Sequence, residues 1–483
     1  MKKTEDLKRI VIIILASLEV AFETAIYAVY WFSEYYPILS QPRISADGYA
    51  LGNGLKLYFR GHLLVIGIYF ILLIFFSNTY GGLKIGYLKS MDVFFSQIFA
   101  LIMVNIISYF QLSLMNNWLV PFETICKIFL WELIISFIWS FFSNAVYRKL
   151  FRPRGMLLIR GKYSSEDILQ KFASRKDKYD IKETINISDG LSFAREKCLE
   201  YRDGIVLWDI PTTERNSILK FCYSNKIRVY VSPKISDVLV RGSDQLHLFD
   251  TPILLVREYP IKIEQRAIKR LIDIIAALII TIITSPIMLV TAIIIKLYDG
   301  GPILYKQVRC TIDKREFKIL KFRSMRVDAE KDGVARLASQ NDSRITPIGM
   351  FIRKCRIDEL PQLFNILKGD MTFIGPRPER PEIIDQYLEV MPEFEYRMKV
   401  KAGLAGYAQV YGKYNTTPYD KLKLDLTYIQ NYSVWLDIKL MLLTVKILFT
   451  PDSTEGVSDN QVTAIKDNSN SSDEAGRNET GQR

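Results

Sequence analysis

Histidine and paired cysteines are scarce in this chain of 483 residues. It has only two histidines, His62 and His247, and they lie in different regions, which argues against histidine-based triads and multi-histidine metal sites. The five cysteines are scattered and lack a Cys-x-x-Cys spacing, so neither a zinc site nor a disulfide framework is predicted. Acid, base or nucleophile chemistry must therefore fall to carboxylates, tyrosine or lysine.

The chain also lacks a basic stripe interleaved with exposed aromatic residues, which argues against nucleic acid as a partner. Its aromatic residues concentrate in hydrophobic segments instead, and 49% of all residues are apolar. These features indicate a membrane protein. The net charge of +12 suits anionic headgroups and phosphorylated substrates, and equally the cytoplasmic side of a membrane.

Four hydrophobic segments fill the first third of the chain, and each approaches the ~20 residues that a bilayer core requires. They are residues 10–32, 57–77, 93–114 and 122–142. The first lacks a small-residue cleavage site, which predicts a retained span rather than a signal peptide. Basic residues cluster before the first segment and after the fourth, so we expect both ends of a transmembrane domain, residues 1–150, in the cytoplasm.

Glu19 and Glu23 lie one helical turn apart within the first segment. Carboxylates inside a membrane are candidates for function by default. The alternative is that the pair faces the bundle interior, near Lys127 or His62. Both interpretations remain open from the sequence.

Residues 151–258 read as a Rossmann-like α/β domain. Three apolar runs predict buried parallel strands with helical patterns between them, at residues 156–159, 204–208 and 227–231. After the first strand comes one glycine, Gly161, where a dinucleotide fingerprint needs three. We therefore expect no cofactor here and a structural or regulatory role.

Residues 274–295 are apolar and long enough to span a bilayer, but Ser285 and Pro286 stand at the middle. Proline removes a backbone donor and clashes with the carbonyl four residues earlier, here that of Ile282, so a bend is expected. Basic residues flank both ends, which favours a segment, about 266–297, that enters the membrane and returns. The alternative is a fifth span with a mild kink.

Downstream, residues 300–450 carry distinctive strings. In the order of the chain, these strings are Lys321-Phe322-Arg323, Arg344-Ile345-Thr346, Asp358-Glu359-Leu360-Pro361-Gln362-Leu363, Gly369-Asp370-Met371, Gly375-Pro376-Arg377-Pro378 and Gly403-Leu404-Ala405-Gly406. Asp358 precedes a predicted helix that ends near Gly369 and has an apolar stripe of Leu360, Leu363, Phe364 and Leu367. The pattern alone leaves open whether Asp358 caps this helix or reacts.

Over roughly residues 260–450 these strings resemble the bacterial sugar transferase family, whose members transfer a sugar phosphate to a polyprenyl phosphate. The resemblance implies four spans, a middle α/β domain and a mixed α/β catalytic domain, residues 259–450, with a re-entrant membrane helix. It also implies that Asp358 is the nucleophile and that Glu359 is a Mg2+ ligand. One departure is residues 310–316, where relatives have glycines, so we expect an altered hairpin turn.

Guanidinium groups match phosphate oxygens in bidentate geometry. Lys321, Arg323, Arg344 and Arg377 are therefore candidates to bind the substrate diphosphate. A surface ion pair or a lipid headgroup contact is the alternative for each arginine. Arg377 is the strongest candidate, because two prolines fix its backbone.

The expected activity is transfer of a hexose 1-phosphate, from UDP-glucose or UDP-galactose, to polyprenyl (undecaprenyl) phosphate at the cytoplasmic face of the bacterial inner membrane. UMP is released, and the product primes capsule, exopolysaccharide or O-antigen synthesis. A non-catalytic membrane scaffold or regulator is the main alternative, and a small-solute transporter is a third. Homodimer formation through the transmembrane or middle domain stays open.

Two further stretches, residues 345–357 and 434–449, are amphipathic and suit either the membrane interface or ordinary core packing. Residues 451–483 are polar and rich in Ser, Asn and Asp, which predicts a disordered tail.

Overall fold

A computed structural model describes residues 2–44, 50–52, 54–162, 164–248, 250–258, 261–326, 344–412 and 416–448. The predicted tail, residues 451–483, lies outside the described residues. The chain forms two compact units, one ending at Ser232 and the other beginning at Pro233.

The first unit begins with a bundle of long apolar helices. Its helices are α1 (Lys2–Tyr30), which continues through a π-helical turn (Trp31–Tyr35) into α2 (Tyr36–Ser40), then α3 (Phe59–Tyr80), α4 (Ser90–Met115) and α5 (Phe122–Leu150). A short antiparallel pair, β1 (Arg43–Ile44) and β2 (Ala50–Gly52), lies between α2 and α3. Each of the four predicted segments lies largely within one of these long helices, and by length and composition each can cross a membrane.

The bundle turns its polar residues inward and many apolar residues outward, as a lipid-facing bundle must. Tyr27 and Tyr69 stack in the interior with their ring centres 4.0 Å apart. Glu19 and Glu23 are both buried there, which agrees with the alternative that the pair faces the bundle interior. The predicted neighbour Lys127 pairs instead with Glu34, at 3.5 Å, and with Glu123, at 3.0 Å.

A four-stranded parallel sheet follows the bundle in the first unit. Its elements are β3 (Arg154–Arg160), α6 (Glu166–Ala173), β4 (Tyr179–Asn186), α7 (Leu191–Glu200), β5 (Ile205–Trp208), α8 (Thr212–Ser224) and β6 (Val229–Val231). The strand order is β4-β3-β5-β6, and all three pairings are parallel. The three predicted strands are confirmed. The edge strand β4 was not predicted, because among its residues only Ile185 is buried and polar residues obscure the strand pattern.

The second unit is a mixed α/β domain. Its elements are α9 (Ile235–Arg241), β7 (Asp244–Leu248), β8 (Thr251–Leu255), α10 (Ile263–Asp299), β9 (Leu304–Cys310), β10 (Glu316–Phe322), α11 (Pro347–Lys354), α12 (Gln362–Lys368), β11 (Thr372–Ile374), α13 (Pro381–Val390), β12 (Gly403–Ala405), α14 (Tyr407–Tyr411), α15 (Pro418–Gln430) and α16 (Val434–Leu448). Strands β7 and β8 pair antiparallel, as do β9 and β10, whereas β11 and β12 pair parallel.

This unit begins earlier than the predicted boundary between residues 258 and 259. Ile235 and Val238 of α9 are buried in the same hydrophobic core as Leu363, Leu422 and Leu440. The earlier start of the second unit follows from this packing, because α9 contributes apolar side chains to the core of that unit. From α16, Leu440 and Leu443 are buried, so ordinary core packing accounts for much of this amphipathic stretch.

Helix α10 is continuous over 37 residues, through Ser285 and Pro286. Measured along its axis, at 1.5 Å per residue, such a helix is about 55 Å long, and the bend expected at Pro286 stays a prediction. Pro286 offers no N–H to the carbonyl of Ile282, and the Ser285 hydroxyl donates to that carbonyl oxygen at 2.8 Å. The serine therefore satisfies the acceptor that the proline leaves without its helical partner, which lets the helix continue.

The turn between β9 and β10 differs from a glycine-containing hairpin, as the sequence predicts. Asp313 and Lys314 adopt left-handed backbone conformations, with φ of 53° and 56°. Aspartate tolerates this region better than most residues, but lysine does not, so the turn carries local strain.

Candidate active site

Asp358 and Glu359 lie in a single 3-10 turn, Ile357–Glu359, immediately before α12. The turn follows Arg356, whose left-handed backbone (φ 54°, ψ 21°) reverses the chain after α11. Asp358 is 9% exposed. The reversal thus places two adjacent carboxylates against the interior of the domain.

The interpretation of Asp358 as a helix cap is wrong. Helix α12 begins at Gln362, its N-cap position is Pro361, and no side chain caps it. Gly369 ends the helix with φ of 94°, as predicted. The predicted apolar stripe needs one correction, since Phe364 is 45% exposed while Ile366 is fully buried.

Two cationic side chains converge on Glu359. Its Oε1 accepts from the Lys321 ammonium at 3.1 Å and from the Arg377 guanidinium at 2.7 Å. Arg356 is a third cation, 3.9 Å from Oε2. Lys321 comes from β10 and Arg377 from the loop after β11, so three separate motifs of the sequence meet at one carboxylate.

These contacts make the two carboxylates electrostatically different. Burial raises the pKa of Asp358, the neighbouring Glu359 raises it further, and the result is about 6. Burial also disfavours ionised Glu359, but Arg377, Lys321 and Arg356 outweigh it and hold the pKa of Glu359 well below its usual range. Glu359 therefore stays ionised, whereas Asp358 is ionised at neutral pH without an ion pair among the described residues.

The strand that carries Lys321 is attached to α12 by one amide. The side-chain oxygen of Asn365, Oδ1, accepts from the backbone N–H of Leu320 at 2.9 Å. Its side-chain nitrogen, Nδ2, donates to the backbone carbonyl of Lys318 at 2.9 Å. Asn365 thereby pairs with the edge of β10 as a neighbouring strand would. Sequence reasoning missed this residue, although it lies only seven positions after Asp358, on the helix that follows the turn.

The loop that carries Arg377 rests against β12. The Gly375 N–H donates to the Ala405 carbonyl, and the Gly403 N–H donates to the Pro376 carbonyl, both at 2.9 Å. These bonds bring the Gly-Pro-Arg-Pro and Gly-Leu-Ala-Gly strings together. They explain the glycines at 375, 403 and 406, where the backbones approach too closely for side chains.

Arg397 is a buried side chain that hydrogen-bonds to the backbone of the same loop. It is 3% exposed and donates to the backbone carbonyl of Arg377 at 2.9 Å. It also pairs with the buried Asp425 at 2.8 Å. No motif in the sequence pointed to Arg397 or Asp425, since neither lies in a recognised string.

The other predicted phosphate-binding residues lie elsewhere. Arg323 is buried and ion-pairs with Asp299 at the end of α10, and no described contact joins it to Asp358 or Glu359. The backbone of Arg344 accepts from the Arg326 N–H at 3.0 Å, beside the bridge between Met325 and Ile345. Lys321 and Arg377 thus meet at the carboxylates, and the role of Arg323 and Arg344 in substrate binding stays a prediction.

Helix α10 is anchored to this domain by polar residues of its first half. Lys269 donates to the Ile374 carbonyl at 2.8 Å and to Asp437 at 2.7 Å. Asp273 accepts from the Thr372 hydroxyl at 2.5 Å and from the Phe373 N–H at 3.0 Å. These bonds fix the helix to β11, directly before the loop of Arg377.

The Mg2+ site stays a prediction. The part of the chain that the structure describes contains no group of three His, Cys, Asp or Glu side chains able to hold a metal ion. Mg2+ usually binds one or two carboxylates and completes its shell with substrate phosphates and water. Adjacent Asp358 and Glu359 match that limited requirement.

A family model described as bacterial sugar transferase matches residues 264–451. A UDP-glucose:undecaprenyl-phosphate glucose-1-phosphate transferase of Caulobacter vibrioides is 39% identical over 190 residues, which cover 38% of this chain and 71% of the relative. A UDP-N-acetylgalactosamine-undecaprenyl-phosphate N-acetylgalactosaminephosphotransferase of Aeromonas hydrophila is 40% identical over 240 residues, 49% of this chain and 56% of the relative.

A UDP-glucose:undecaprenyl-phosphate glucose-1-phosphate transferase of Escherichia coli K12 is 39% identical over 211 residues, 43% of this chain and 44% of the relative. The matched segment therefore spans about half the length of the Aeromonas and Escherichia relatives. The segment that the family model matches, residues 264–451, contains Asp358, Glu359, Lys321 and Arg377.

Proposed function

This chain belongs to the bacterial sugar transferase family, and on that premise we propose that it transfers a sugar 1-phosphate from a UDP-sugar to undecaprenyl phosphate, releasing UMP. The product, a polyprenyl-diphosphate sugar, would prime synthesis of a surface polysaccharide. The observation that carries the proposal is the convergence of Lys321 and Arg377 on Glu359 beside the buried Asp358.

Asp358 is the nucleophile in this proposal. Its carboxylate oxygen attacks the phosphorus next to the sugar, the bond from that phosphorus to the UMP oxygen breaks, and UMP leaves. A phosphate oxygen of the lipid then attacks the same phosphorus, and the aspartyl–phosphorus bond breaks to regenerate Asp358. Two displacements of this kind replace one difficult transfer between two anionic substrates.

Lys321 and Arg377 would bind the diphosphate. Both already bind the same anionic oxygen, Oε1 of Glu359, so their donors converge on one point. Guanidinium and ammonium groups bind phosphate oxygens with the same charge-assisted hydrogen bonds. Glu359, together with phosphate oxygens, would hold Mg2+, which neutralises negative charge on the reacting phosphates when bound.

We propose that the protein lies in the inner membrane with this domain on the cytoplasmic face, and that α10 enters the bilayer and returns. Contacts at both ends of the helix support the return. Lys269 and Asp273 bind the second unit near the start of α10, and Asp299 binds Arg323 of that same unit at its end. Contacts of one domain with both ends of the helix are expected if both ends lie on one side of the membrane.

The donor class we propose is a UDP-hexose, with UDP-glucose or UDP-galactose first. Purified full-length protein is incubated with undecaprenyl phosphate, Mg2+ and UDP-glucose, UDP-galactose or UDP-N-acetylgalactosamine, and UMP release is measured. Release that depends on the lipid and on one donor is expected. Asp370→Asn, which changes an aspartate outside the turn, is the control for Asp358→Asn.

Loss of UMP release in Asp358→Asn but not in Asp370→Asn is the expected pattern. Mass analysis of the peptide containing residue 358, after incubation without lipid, should find a sugar-phosphate adduct in the parent. Absence of UMP release with every donor, in well-folded protein, would favour the scaffold or regulator.

A further inference from the structure

Three carboxyl groups lie inside the helical bundle of the first unit. Glu19 and Glu23 of α1 and Glu132 of α5 are 1%, 0% and 0% exposed. The two oxygens of Glu132 each have a donor: the Tyr69 hydroxyl of α3, and the Asn105 amide of α4 at 2.6 Å. Every long helix of the bundle therefore contributes to one polar cluster.

Glu23 is different from Glu132, because both of its carboxylate oxygens are buried and lack a hydrogen-bond partner. One oxygen of Glu19 lacks a partner as well. Glu23 faces Glu19 on its own helix and Glu132 on α5. Three acidic groups thus share one interior, with acceptor atoms left over.

No cationic side chain in the described part of the chain balances them. Among the described residues, no lysine, arginine or histidine forms an ion pair with Glu19, Glu23 or Glu132. The other titratable groups that face them are the hydroxyls of Tyr27 and Tyr69, and α4 contributes the neutral Gln97 and Asn105. Three uncompensated negative charges in a membrane interior are prohibitively costly, so positive charge must enter the cluster.

A polar seam on α5 connects the cluster to one end of the bundle. Ser136, Ser140 and Asn144 follow Glu132 at intervals of four residues and are all buried. The hydroxyls of Ser136 and Ser140 have no hydrogen-bond partner. At 1.5 Å per residue the seam is about 18 Å long. Buried polar atoms without protein partners are the places where internal water binds.

We propose that Glu19, Glu23 and Glu132 form a membrane-embedded site that binds monovalent cations, either protons or hydrated alkali ions, which reach it along the seam of α5. The arrangement fits no tightly coordinated metal, since the described residues contain no group of three His, Cys, Asp or Glu that could hold one. The site lies outside the transferase domain and does not depend on the function proposed for that domain.

The test uses full-length protein in lipid nanodiscs at neutral pH. Infrared difference spectra, parent minus Glu23→Gln, are recorded for the absorption of protonated carboxyl groups. In parallel, the thermal midpoint is measured in NaCl, KCl and choline chloride at equal ionic strength. The matched control is Glu123→Gln, since Glu123 lies on the same helix as Glu132 but its side chain is 80% exposed.

Bound protons predict a carboxylic-acid band in the parent that Glu23→Gln removes and Glu123→Gln keeps. Bound alkali ions predict a saturable rise of the parent's thermal midpoint with NaCl or KCl but not with choline, lost in Glu23→Gln. If the parent shows neither the band nor the cation-specific rise, the proposal is overturned. Both parent measurements remain decisive should Glu23→Gln fail to fold, and Glu132→Gln then replaces it.

Discussion

At the scale of single residues, the candidate site divides its two carboxylates by environment. Glu359 is surrounded by cations, whereas its neighbour Asp358 is buried without an ion pair among the described residues. One carboxylate is therefore suited to hold charge in place, and the other keeps a free oxygen for reaction.

Asp358 should control the acid limb of the activity. Its pKa is raised to about 6, so lowering the pH through that value protonates the nucleophile, and raising the pH above it restores the anion. We expect kcat/KM for UMP release to fall as the pH drops below about 6. Glu359 does not titrate there, because its pKa is held well below its usual range. A profile that stays flat far below this pH would contradict the assignment.

Arg397 should act on the reaction by positioning the loop of Arg377. Arg397→Met leaves Asp425 buried without its cation, which we expect to cost about 3–5 kcal/mol of stability. The double variant Arg397→Met with Asp425→Leu removes both charges and should recover most of that stability. Its kcat should nevertheless stay about 10-fold to 100-fold low, because the Arg377 carbonyl has lost a charge-assisted hydrogen bond.

The measurement is denaturant unfolding together with kcat and KM for the UDP-sugar. Lys197→Met, which removes the ion pairs with Glu183 and Glu200 in the first unit, serves as the control. Recovery of kcat along with stability in the double variant would make Arg397 a structural residue only.

The sequence predicted the residues whose side chains meet at the carboxylates. It did not predict the residues that hold the site together by contacts elsewhere in the fold. Asp358, Glu359, Lys321 and Arg377 each lie in a distinctive string, and the structure brings them together. Asn365, Arg397 and Asp425 act on backbone carbonyls or on each other across the fold. Their chemistry depends on contacts between distant segments, which composition and spacing do not contain.

At the scale of elements, the turn between β9 and β10 requires left-handed backbone conformations, and it contains no glycine to adopt them. Lys314 has a left-handed backbone that costs roughly 1–2 kcal/mol for a residue with a side chain. Lys314→Gly should therefore stabilise the second unit by about 1 kcal/mol, less the small loss of an exposed pair with Asp385. Arg315→Gly is the control, since Arg315 has φ of −64° and should lose stability. Equal effects of both changes in thermal unfolding would rule out this explanation.

The course of α10 through the membrane can be read by labelling. Leu297 follows Pro286 and is 81% exposed. In a background where the exposed Cys126 and Cys355 are serine, Leu297→Cys should react with an impermeant thiol reagent only from the cytoplasmic side. Adding Pro286→Leu restores the missing N–H donor and should raise the fraction labelled from outside. Outside labelling without the Pro286 change would refute the returning helix.

Element existence was more predictable than element ends. The long apolar segments and the buried strands can be recognised in the sequence by their length and continuous hydrophobicity. The edge strand β4 and the first residues of the second unit cannot be recognised in this way. They have few buried side chains, and their role is visible only from the neighbours they pack against.

At the scale of the whole molecule, the transferase chemistry is expected to reside in the second unit. A fragment of residues 233–483 should keep UMP release in detergent, because it retains α9 and every residue of the site. A fragment of residues 259–483 lacks Ile235 and Val238 of the core and should unfold at a lower temperature. Inactivity of the longer fragment, when it is folded and membrane-bound, would show that the first unit is required.

The partners of α10 also set an order of events during synthesis. Lys269 meets Asp437, 168 residues later in the chain, and Asp273 meets Phe373, 100 residues later. A ribosome adding about 5–20 residues per second needs roughly 10–30 s to cover the first of these distances. During that interval the apolar helix has left the ribosome while its anchors have not been made. The nascent chain must therefore engage the bilayer first, and the soluble domain then assembles around a helix that the lipid already holds.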